Sequence, residues 1–182
     1  MSGQDLFALA ALQRGYFTTA QAGAHGLSRR ALPRRASNGQ IEHVAYGLWR
    51  LTHWPIGPDD ELYALQALAP FGTFSHETAL LLHGLSDLIP SAIHLTIPES
   101  SRLSRRSGVR LHRSRTGAER ERVLRDGLWV STPVRALLDS ARIGSDPDQL
   151  IEAARQAQSR GLLSAADLAR LSAHRLFRHG AA

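Results

Sequence analysis

The stretch LSRRALPRRASNGQ, residues 27–40, contains four arginines, one proline and no acidic residue. On a helical wheel, Arg29, Arg30 and Arg34 fall on one half, and Leu32 falls on the other. Any amphipathic surface helix shows such a division. Taken alone, the helix is therefore compatible with a solvated surface or with a DNA-binding surface, and the flanking sequence has to distinguish the two.

Pro33 leaves the start of this helix open. If Ser28 is the N-cap, Pro33 occupies roughly the fifth helical position, where its ring and its missing amide disfavour a helix. Either the helix kinks at Pro33, or it begins later, near Ala31. The later start leaves Arg29 and Arg30 in the preceding turn, where they are better placed for phosphates than for bases.

The sequence before this stretch predicts two further helices. Leucines recur at helical spacing in residues 6–12. Thr18 or Thr19 can cap a second, short helix that closes near Gly26. Two short helices joined by a tight turn that contains glycine form the helix-turn-helix pattern.

The sequence after this stretch predicts a β-hairpin. Gly39 ends the helix, and residues 40–52, QIEHVAYGLWRLT, are typical of two short strands around a turn at residues 46–47. The predicted inward side chains are Ile41, Val44, Leu48 and Leu51. Helices followed by a hairpin are the order of a winged helix-turn-helix, in which the second helix of the motif enters the major groove and the hairpin wing touches the backbone or the minor groove.

This arrangement assigns roles to the polar residues of the helix and the wing. The candidate DNA-binding residues are Ser28, Arg29, Arg30, Arg34, Arg35, Ser37, Asn38, His43 and Arg50. Arginine suits these positions because its planar fork matches a guanine edge or a phosphate. We predict that Arg30 and Arg34, in the middle of the polar face, read bases. Arg29 and Arg50 are the candidates for phosphate contacts.

Charge is distributed unevenly along the 182 residues. Residues 1–56 carry six arginines and two acids, residues 57–98 carry five acids and no arginine, and residues 99–125 carry nine arginines and three acids. Two basic blocks separated by an acidic one indicate a polyanionic partner. In the second block, Arg102, Arg105, Arg106, Arg110 and Arg113 form a possible basic patch, for which a mobile loop, an added DNA contact and a protein or RNA contact all stay open.

The segment HWPIGP, residues 53–58, is typical of a linker and divides the chain. Residues 1–56 are the predicted winged helix-turn-helix domain. Alternating strand patterns, followed by helices with capping residues, predict a second domain over residues 57–182 with a small sheet and C-terminal helices. The predicted fold class is α+β.

Residue usage and motifs argue against catalysis. All 22 basic residues are arginine and no cysteine occurs, which excludes lysine-dependent mechanisms, disulfides and thiolate metal sites. The chain contains no Gly-x-Ser-x-Gly, no His-Glu-x-x-His and no glycine-rich phosphate loop, so we expect no enzyme, no catalytic residue and no cofactor. No N-terminal segment is long enough to span a bilayer, which predicts a soluble cytoplasmic protein without a membrane partner.

Three smaller constellations are interpreted as structural. His76 and His83 lie seven residues apart and could share a helix face near His94, but they also suit a capping turn and a helix end, so we expect no metal site. The segment GSDPD, residues 144–148, is interpreted as a helix cap. Asp139 is expected to be partly buried and paired with Arg135 or Arg142.

Residues 16–52 resemble the N-terminal DNA-binding domain of AbiEi-type antitoxins, in which a GLSRRAL segment is followed by a glycine, an isoleucine and GLW. The second half is similar to the same family in the segments SHETALLLHGL, IHLTIP, GVRLHRS, VSTPVRALLDSAR and SRGLLSAADL. The resemblance implies that the first domain binds inverted repeats of double-stranded operator DNA and represses the antitoxin–toxin operon. It also implies that the second domain counteracts a nucleotidyltransferase toxin without a lasting complex. The alternative is a stand-alone transcription factor whose C-terminal domain serves dimerisation or effector sensing.

Overall fold

The computed structural model describes residues 3–85, 90–115 and 118–178. The chain forms two compact units, Met1–Pro70 and Phe71–Ala182, referred to below as the first and second units. No described helix is both long and apolar enough to cross a membrane.

The first unit is a winged helix-turn-helix, as the sequence predicted. Its elements are α1 (Gly3–Leu12), β1 (Tyr16–Thr18), α2 (Thr19–Ala24), α3 (Ala31–Ser37), β2 (Ile41–Ala45), β3 (Leu48–Leu51) and α4 (Asp60–Leu68). The strands form one antiparallel sheet in the order β1-β3-β2. Strand β1 was not predicted, and it makes β3 the central strand.

The helices and the sheet enclose one apolar core. The buried cluster consists of Leu6, Ala10, Phe17, Ala22, Leu32, Ile41, Trp49 and Leu51. Leu32 and Phe17 are fully buried, and full burial of a large apolar side chain contributes roughly 1.5–3 kcal/mol. Leu32 therefore anchors α3 by its apolar face, which leaves the opposite face to solvent.

Helix α2 begins in a capping box, which decides between the two candidate threonines. The amide of Gln21 donates to Thr18 Oγ1 at 3.1 Å, and the amide of Thr18 donates to Gln21 Oε1 at 2.8 Å. Thr18 is therefore the N-cap. Thr19 instead accepts a hydrogen bond from the Trp49 indole at 2.9 Å, which ties α2 to the sheet.

Helix α3 takes the later of its two predicted starts. A turn precedes it, in which the amide of Ala31 donates to the Ser28 carbonyl at 2.9 Å, and the N-cap is Arg30. Ser28 is therefore not the N-cap, contrary to one reading of the sequence. Pro33 is the third residue of the helix, where an amide has no intrahelical acceptor, so its missing N–H costs no helical hydrogen bond.

Helix α4 packs within the first unit and extends it past the expected boundary at residue 56 to Pro70. The hydroxyl of Tyr16 donates to Asp60 Oδ2 at 3.1 Å, and the Arg14 guanidinium lies 5.1 Å from the centre of the Tyr63 ring. Burial and the hydrogen bond to Asp60 raise the pKa of Tyr16 to about 12. The linker-like segment at residues 53–58 thus lies inside the first unit.

The buried side chain of Arg50 links the two strands of the wing. Its side chain is 5% exposed, its Nε donates to Glu42 Oε1 at 2.6 Å, and its Nη1 donates to the Trp54 carbonyl at 2.9 Å. Glu42 and Arg50 are direct partners across β2 and β3. Arg50 therefore stabilises the hairpin from its buried position.

The second unit is a mixed sheet with helices, in agreement with the predicted α+β class. Its elements are β4 (Thr73–Phe74), α5 (His76–Leu82), β5 (Ile93–Pro98), β6 (Val109–Ser114), a 3-10 helix (Ala118–Glu121), β7 (Arg122–Arg125), β8 (Leu128–Ser131), α6 (Pro133–Arg142), α7 (Pro147–Ser159) and α8 (Ala165–Ser172). The strand order is β6-β5-β4-β8-β7. The β5–β6 and β4–β8 pairs are parallel, and the other two pairs are antiparallel.

The register of this sheet separates apolar from polar side chains. Phe74, Leu95 and Leu111 lie opposite one another on β4, β5 and β6. The adjacent residues on the same three strands, Thr73, Thr96 and His112, are likewise aligned. Since neighbouring residues of a strand point to opposite faces, one face of this part of the sheet is apolar and the other is polar. His94 shares the polar face with Thr96.

The structural interpretations of two sequence constellations are confirmed. Asp146 accepts from the amide of Gln149 at 3.0 Å and caps α7. Asp139 is 7% exposed and accepts from Arg135 at 2.6 Å and from Arg142 at 2.8 Å, so it pairs with both candidates.

The position of Pro33 predicts its energetic role. Because Pro33 lies in the first helical turn, we expect Pro33→Ala to leave the free energy of unfolding unchanged or to lower it by at most about 1 kcal/mol. Such a small loss would arise because proline also restricts the unfolded chain. Ala36→Pro, in the helix interior, is the comparison and should cost about 3 kcal/mol. A stabilisation of about 1–3 kcal/mol in Pro33→Ala would show that the helix begins before Ala31.

The buried position of Arg50 predicts a stability defect. Arg50→Ala removes two hydrogen bonds of a charged group and should lower the free energy of unfolding by about 1.5–3 kcal/mol. Arg29→Ala, at an exposed position, is the control and should stay within about 0.5 kcal/mol of wild type. Denaturant unfolding followed by circular dichroism measures both variants, and a wild-type midpoint for Arg50→Ala would contradict a structural role.

Candidate nucleic-acid interface

The exposed side of α3 and of the turn before it carries most of the predicted DNA-binding residues. Ser28, Arg29, Arg30, Arg34, Ser37 and Asn38 are all exposed. Among the described residues, no acid forms an ion pair with Arg29, Arg30 or Arg34. These three guanidinium groups are therefore available to an anionic partner without the loss of an internal ion pair.

The late start of α3 separates these arginines into two positions. Arg29 and Arg30 lie in the turn and at the N-cap, whereas Arg34 lies within the helix. Ser37 donates its hydroxyl to the Arg34 carbonyl at 2.8 Å, so its oxygen is already engaged within the helix. This geometry favours the alternative in which Arg30 is placed for phosphate.

Arg35 lies at the edge of the apolar face of α3. It is half-buried, and together with Leu6 and Ile41 it lines a small apolar pocket. Its Nη1 is 3.5 Å from Gln40 Oε1, the outer limit of a hydrogen bond. An arginine stem that covers apolar surface while its charged end reaches solvent is a common arrangement, and it makes Arg35 less available than its neighbours.

The wing presents different residues from those that the sequence predicted. His43 is exposed, with its ring 4.8 Å from that of Trp49. Val44, predicted to point inward, is 43% exposed, because a bulge between His43 and Ala45 shifts the register and leaves one residue without a partner. Tyr46, at the tip, is 85% exposed and was not predicted as a contact. A tyrosine in a two-residue hairpin turn is the sequence signal that indicates it.

Arg50 is the clearest correction among the predicted DNA-binding residues. It is buried and bonded to Glu42 and to the Trp54 carbonyl, so its guanidinium does not face outward from the wing. The carboxylate of Glu42 holds the pKa of Arg50 above its usual value. The sequence pattern does not show this pairing, because Glu42 meets Arg50 only through the strand register.

The second basic patch divides into exposed and bonded members. Arg102, Arg105, Arg106 and Arg110 are exposed. Arg113 is exposed as well, but it donates to the carbonyls of Ser101 at 2.9 Å and of Glu99 at 3.1 Å and thereby fastens the loop that follows β5. A nucleic-acid or protein contact of the other four arginines stays a prediction.

Three histidines come together in the second unit, against the expectation drawn from His76 and His83. His76 begins α5, His94 lies on β5 and His112 lies on β6. The rings of His76 and His112 stack at 3.8 Å, and Nδ1 of His94 is 3.2 Å from Nε2 of His112. His83 lies elsewhere, with Nε2 2.8 Å from the Ser131 carbonyl.

Burial keeps this histidine cluster, His76, His94 and His112, uncharged. Desolvation, together with the neighbouring rings, lowers the pKa of His76 to about 3 and that of His94 to about 4. Burial also lowers the pKa of His112. The sequence analysis did not include His112 in the cluster, because only the parallel pairing of β5 with β6 brings it to His94. The one available signal was a histidine within each of two strand patterns, IHL and LHR.

Comparison with known proteins gives a distant structural likeness and a match to a family model. No curated protein matches it. A crystal structure of the RV2827C protein from Mycobacterium tuberculosis is 17% identical, with a TM-score of 0.47, and the likeness covers 95% of this chain and 75% of that one. Residues 4–52 match the model of the family described as transcriptional regulator, AbiEi antitoxin, and this match confirms the predicted resemblance of the winged helix-turn-helix to AbiEi-type antitoxins.

Proposed function

We propose that the first unit binds double-stranded operator DNA with α3 in the major groove, and that the protein is the antitoxin of a toxin–antitoxin pair that represses its own operon. The observation that carries the proposal is the exposed arginine set Arg29, Arg30 and Arg34 on the second helix of a winged helix-turn-helix. The family match over residues 4–52 supports it, because that family is described as a transcriptional regulator.

The position of each arginine assigns its contact. Arg34 lies within α3 on the side opposite the buried Leu32, from which a side chain can reach a guanine edge in the groove. Arg29 and Arg30 precede the helix, where the sugar-phosphate backbone passes a recognition helix. Asn38, at the C-cap, is a further candidate for a base or phosphate contact.

The wing adds contacts from His43 and Tyr46. Both are exposed on the β2–β3 hairpin, and Tyr46 is at its tip. A hydroxyl or imidazole can donate to a phosphate oxygen, which positions a protein without reading sequence. An inverted-repeat operator then takes two copies of the chain, one on each half-site, in the cytoplasm where the operon lies.

The second unit is proposed to counteract the toxin, a nucleotidyltransferase encoded beside this gene, without a lasting complex. The support is the order of the segments in the second half that resemble the family, from SHETALLLHGL to SRGLLSAADL. In this proposal the two units act separately, since DNA binding requires α3 and the wing, and these lie wholly in the first unit.

Binding to the operator should distinguish the arginines. Arg34→Ala should reduce discrimination between the operator and a random duplex by roughly 1–3 kcal/mol. Arg29→Ala and Arg30→Ala should weaken both duplexes about equally, and each should reduce the slope of log affinity against log salt by about one. Fluorescence anisotropy over a salt series, on the DNA upstream of the gene and on a scrambled duplex, measures both effects.

Arg155→Ala, which removes an exposed arginine of α7 in the second unit, is the matched control and should bind as wild type does. Circular dichroism establishes that each variant folds. If Arg29→Ala, Arg30→Ala and Arg34→Ala all bind both duplexes like wild type, this face of α3 is a solvated surface and the proposed interface is wrong.

Repression and neutralisation should separate in cells. The full chain with Arg29, Arg30 and Arg34 all replaced by alanine should lose repression of a reporter under its own promoter and still rescue cells that express the neighbouring nucleotidyltransferase. Loss of both activities together in a stably folded protein would place toxin neutralisation in the first unit. Failure of the wild-type chain to rescue, with repression intact, would favour a stand-alone regulator.

A further inference from the structure

We propose that the histidine cluster binds a divalent transition-metal ion of the zinc class, with one imidazole nitrogen each from His76, His94 and His112. This site lies wholly in the second unit and does not depend on DNA binding or on a toxin. It gives the second unit a ligand of its own, which the match over residues 4–52 does not reach.

The distances fit such an ion after a small closure. One ligand nitrogen from each histidine lies within 4.8 Å of the others. Nδ1 of His94 and Nε2 of His112 are 3.2 Å apart, and two nitrogens bound at 2.0–2.1 Å to one tetrahedral zinc ion lie about 3.3 Å apart. That pair therefore already has the spacing of two ligands. The set is complete when all three ligand nitrogens, which lie within 4.8 Å of one another, close to that spacing.

The donor set of the cluster suits a transition-metal ion. His76 and His94 are 6% and 2% exposed and His112 is half-buried, so their ring nitrogens are shielded from bulk water. Three imidazoles without thiolate or carboxylate favour zinc, copper, nickel or cobalt over magnesium or calcium.

A hydrogen-bond chain behind His76 engages one of its ring nitrogens and leaves the other for an ion. Nδ1 of His76 is 2.9 Å from Ser75 Oγ, and Thr96 donates its hydroxyl to the same oxygen at 2.8 Å. If Nδ1 carries the proton and donates it to Ser75, the other nitrogen, Nε2, presents its lone pair to the ion. Ligating histidines are usually held in this way by a partner on the second nitrogen.

The backbone at His76 supports the same conclusion. His76 has φ 53°, in the left-handed region that residues other than glycine adopt uncommonly. Such strain persists where the surrounding structure fixes it, and it is concentrated at functional sites. Here it places the first side chain of α5 against the polar face of β5 and β6.

The charges around the cluster do not exclude a cation. Arg135 and Arg110 both disfavour positive charge on His76. The guanidinium of Arg135, however, is bonded to Asp139 at 2.6 Å and to Glu121 at 2.9 Å, and these carboxylates partly offset its charge. Arg110 is exposed and therefore screened by solvent. At His112, Arg110 disfavours positive charge and the carboxylate of Asp139 favours it.

The test uses the full-length chain without an affinity tag, stripped with a chelator and dialysed. We expect it to bind one equivalent of Zn²⁺ at pH 7 by isothermal titration and to show a higher thermal midpoint with the ion. Co²⁺ as a substitute should give visible d–d bands of imidazole ligation. His112→Gln, at a half-buried position, and His94→Gln should each lower the affinity at least about tenfold, the loss typical even of changes outside the ligand set.

His53→Gln, which removes an exposed histidine of the first unit, is the control and should bind Zn²⁺ as wild type does. Circular dichroism decides whether each variant is folded, and if His94→Gln is not, His112→Gln alone carries the test. The proposal is overturned if the stripped wild-type chain binds no Zn²⁺, or if folded His112→Gln binds it with wild-type affinity. A loss of equal size in His53→Gln would also overturn it.

Discussion

The first unit depends on β3, because this short strand is bonded on both sides and carries the indole that joins sheet to helix. Trp49 pairs with Phe17 on β1 and with His43 on β2, and its Nε1 donates to Thr19 at the start of α2. The same residue belongs to the buried cluster that includes Leu32 of α3. The orientation of α3 is therefore set by apolar packing on its inner face, which leaves the composition of its outer face unconstrained by folding.

Local signals account for what the sequence predicted well. Thr18 and Asp146 cap helices through contacts three residues away, so each can be recognised without knowledge of the fold. Gly39 and Gly47 have φ of 71° and 73°, and these left-handed turns mark where α3 ends and where the hairpin reverses. The order of helices and hairpin, and with it the winged helix-turn-helix, follows from such signals.

The features that sequence reasoning missed all depend on contacts between distant residues. Strand β1 is three residues long and exists because it pairs with β3. The bulge at Val44 and the burial of Arg50 both follow from the register of β2 against β3, which no periodicity reveals. Likewise, His112 reaches His94 only because β5 and β6 pair in parallel, across a connection between the two strands that no short motif spans. The candidate interface on α3 was predictable from its helix, whereas the histidine cluster required the sheet.

The two edges of the five-stranded sheet have a consequence for how the protein behaves at high concentration. Strands β6 and β7 are its outer strands, and unpaired backbone groups at a sheet edge are templates for pairing with another chain. Arg110 and Arg113 lie on β6, and Arg122 and Arg125 lie on β7. Two copies that approach edge to edge bring arginine against arginine, and like charges repel. The arginine-rich edges thus disfavour edge-to-edge pairing of folded chains, an effect that requires no nucleic acid and that a rise in salt concentration would weaken.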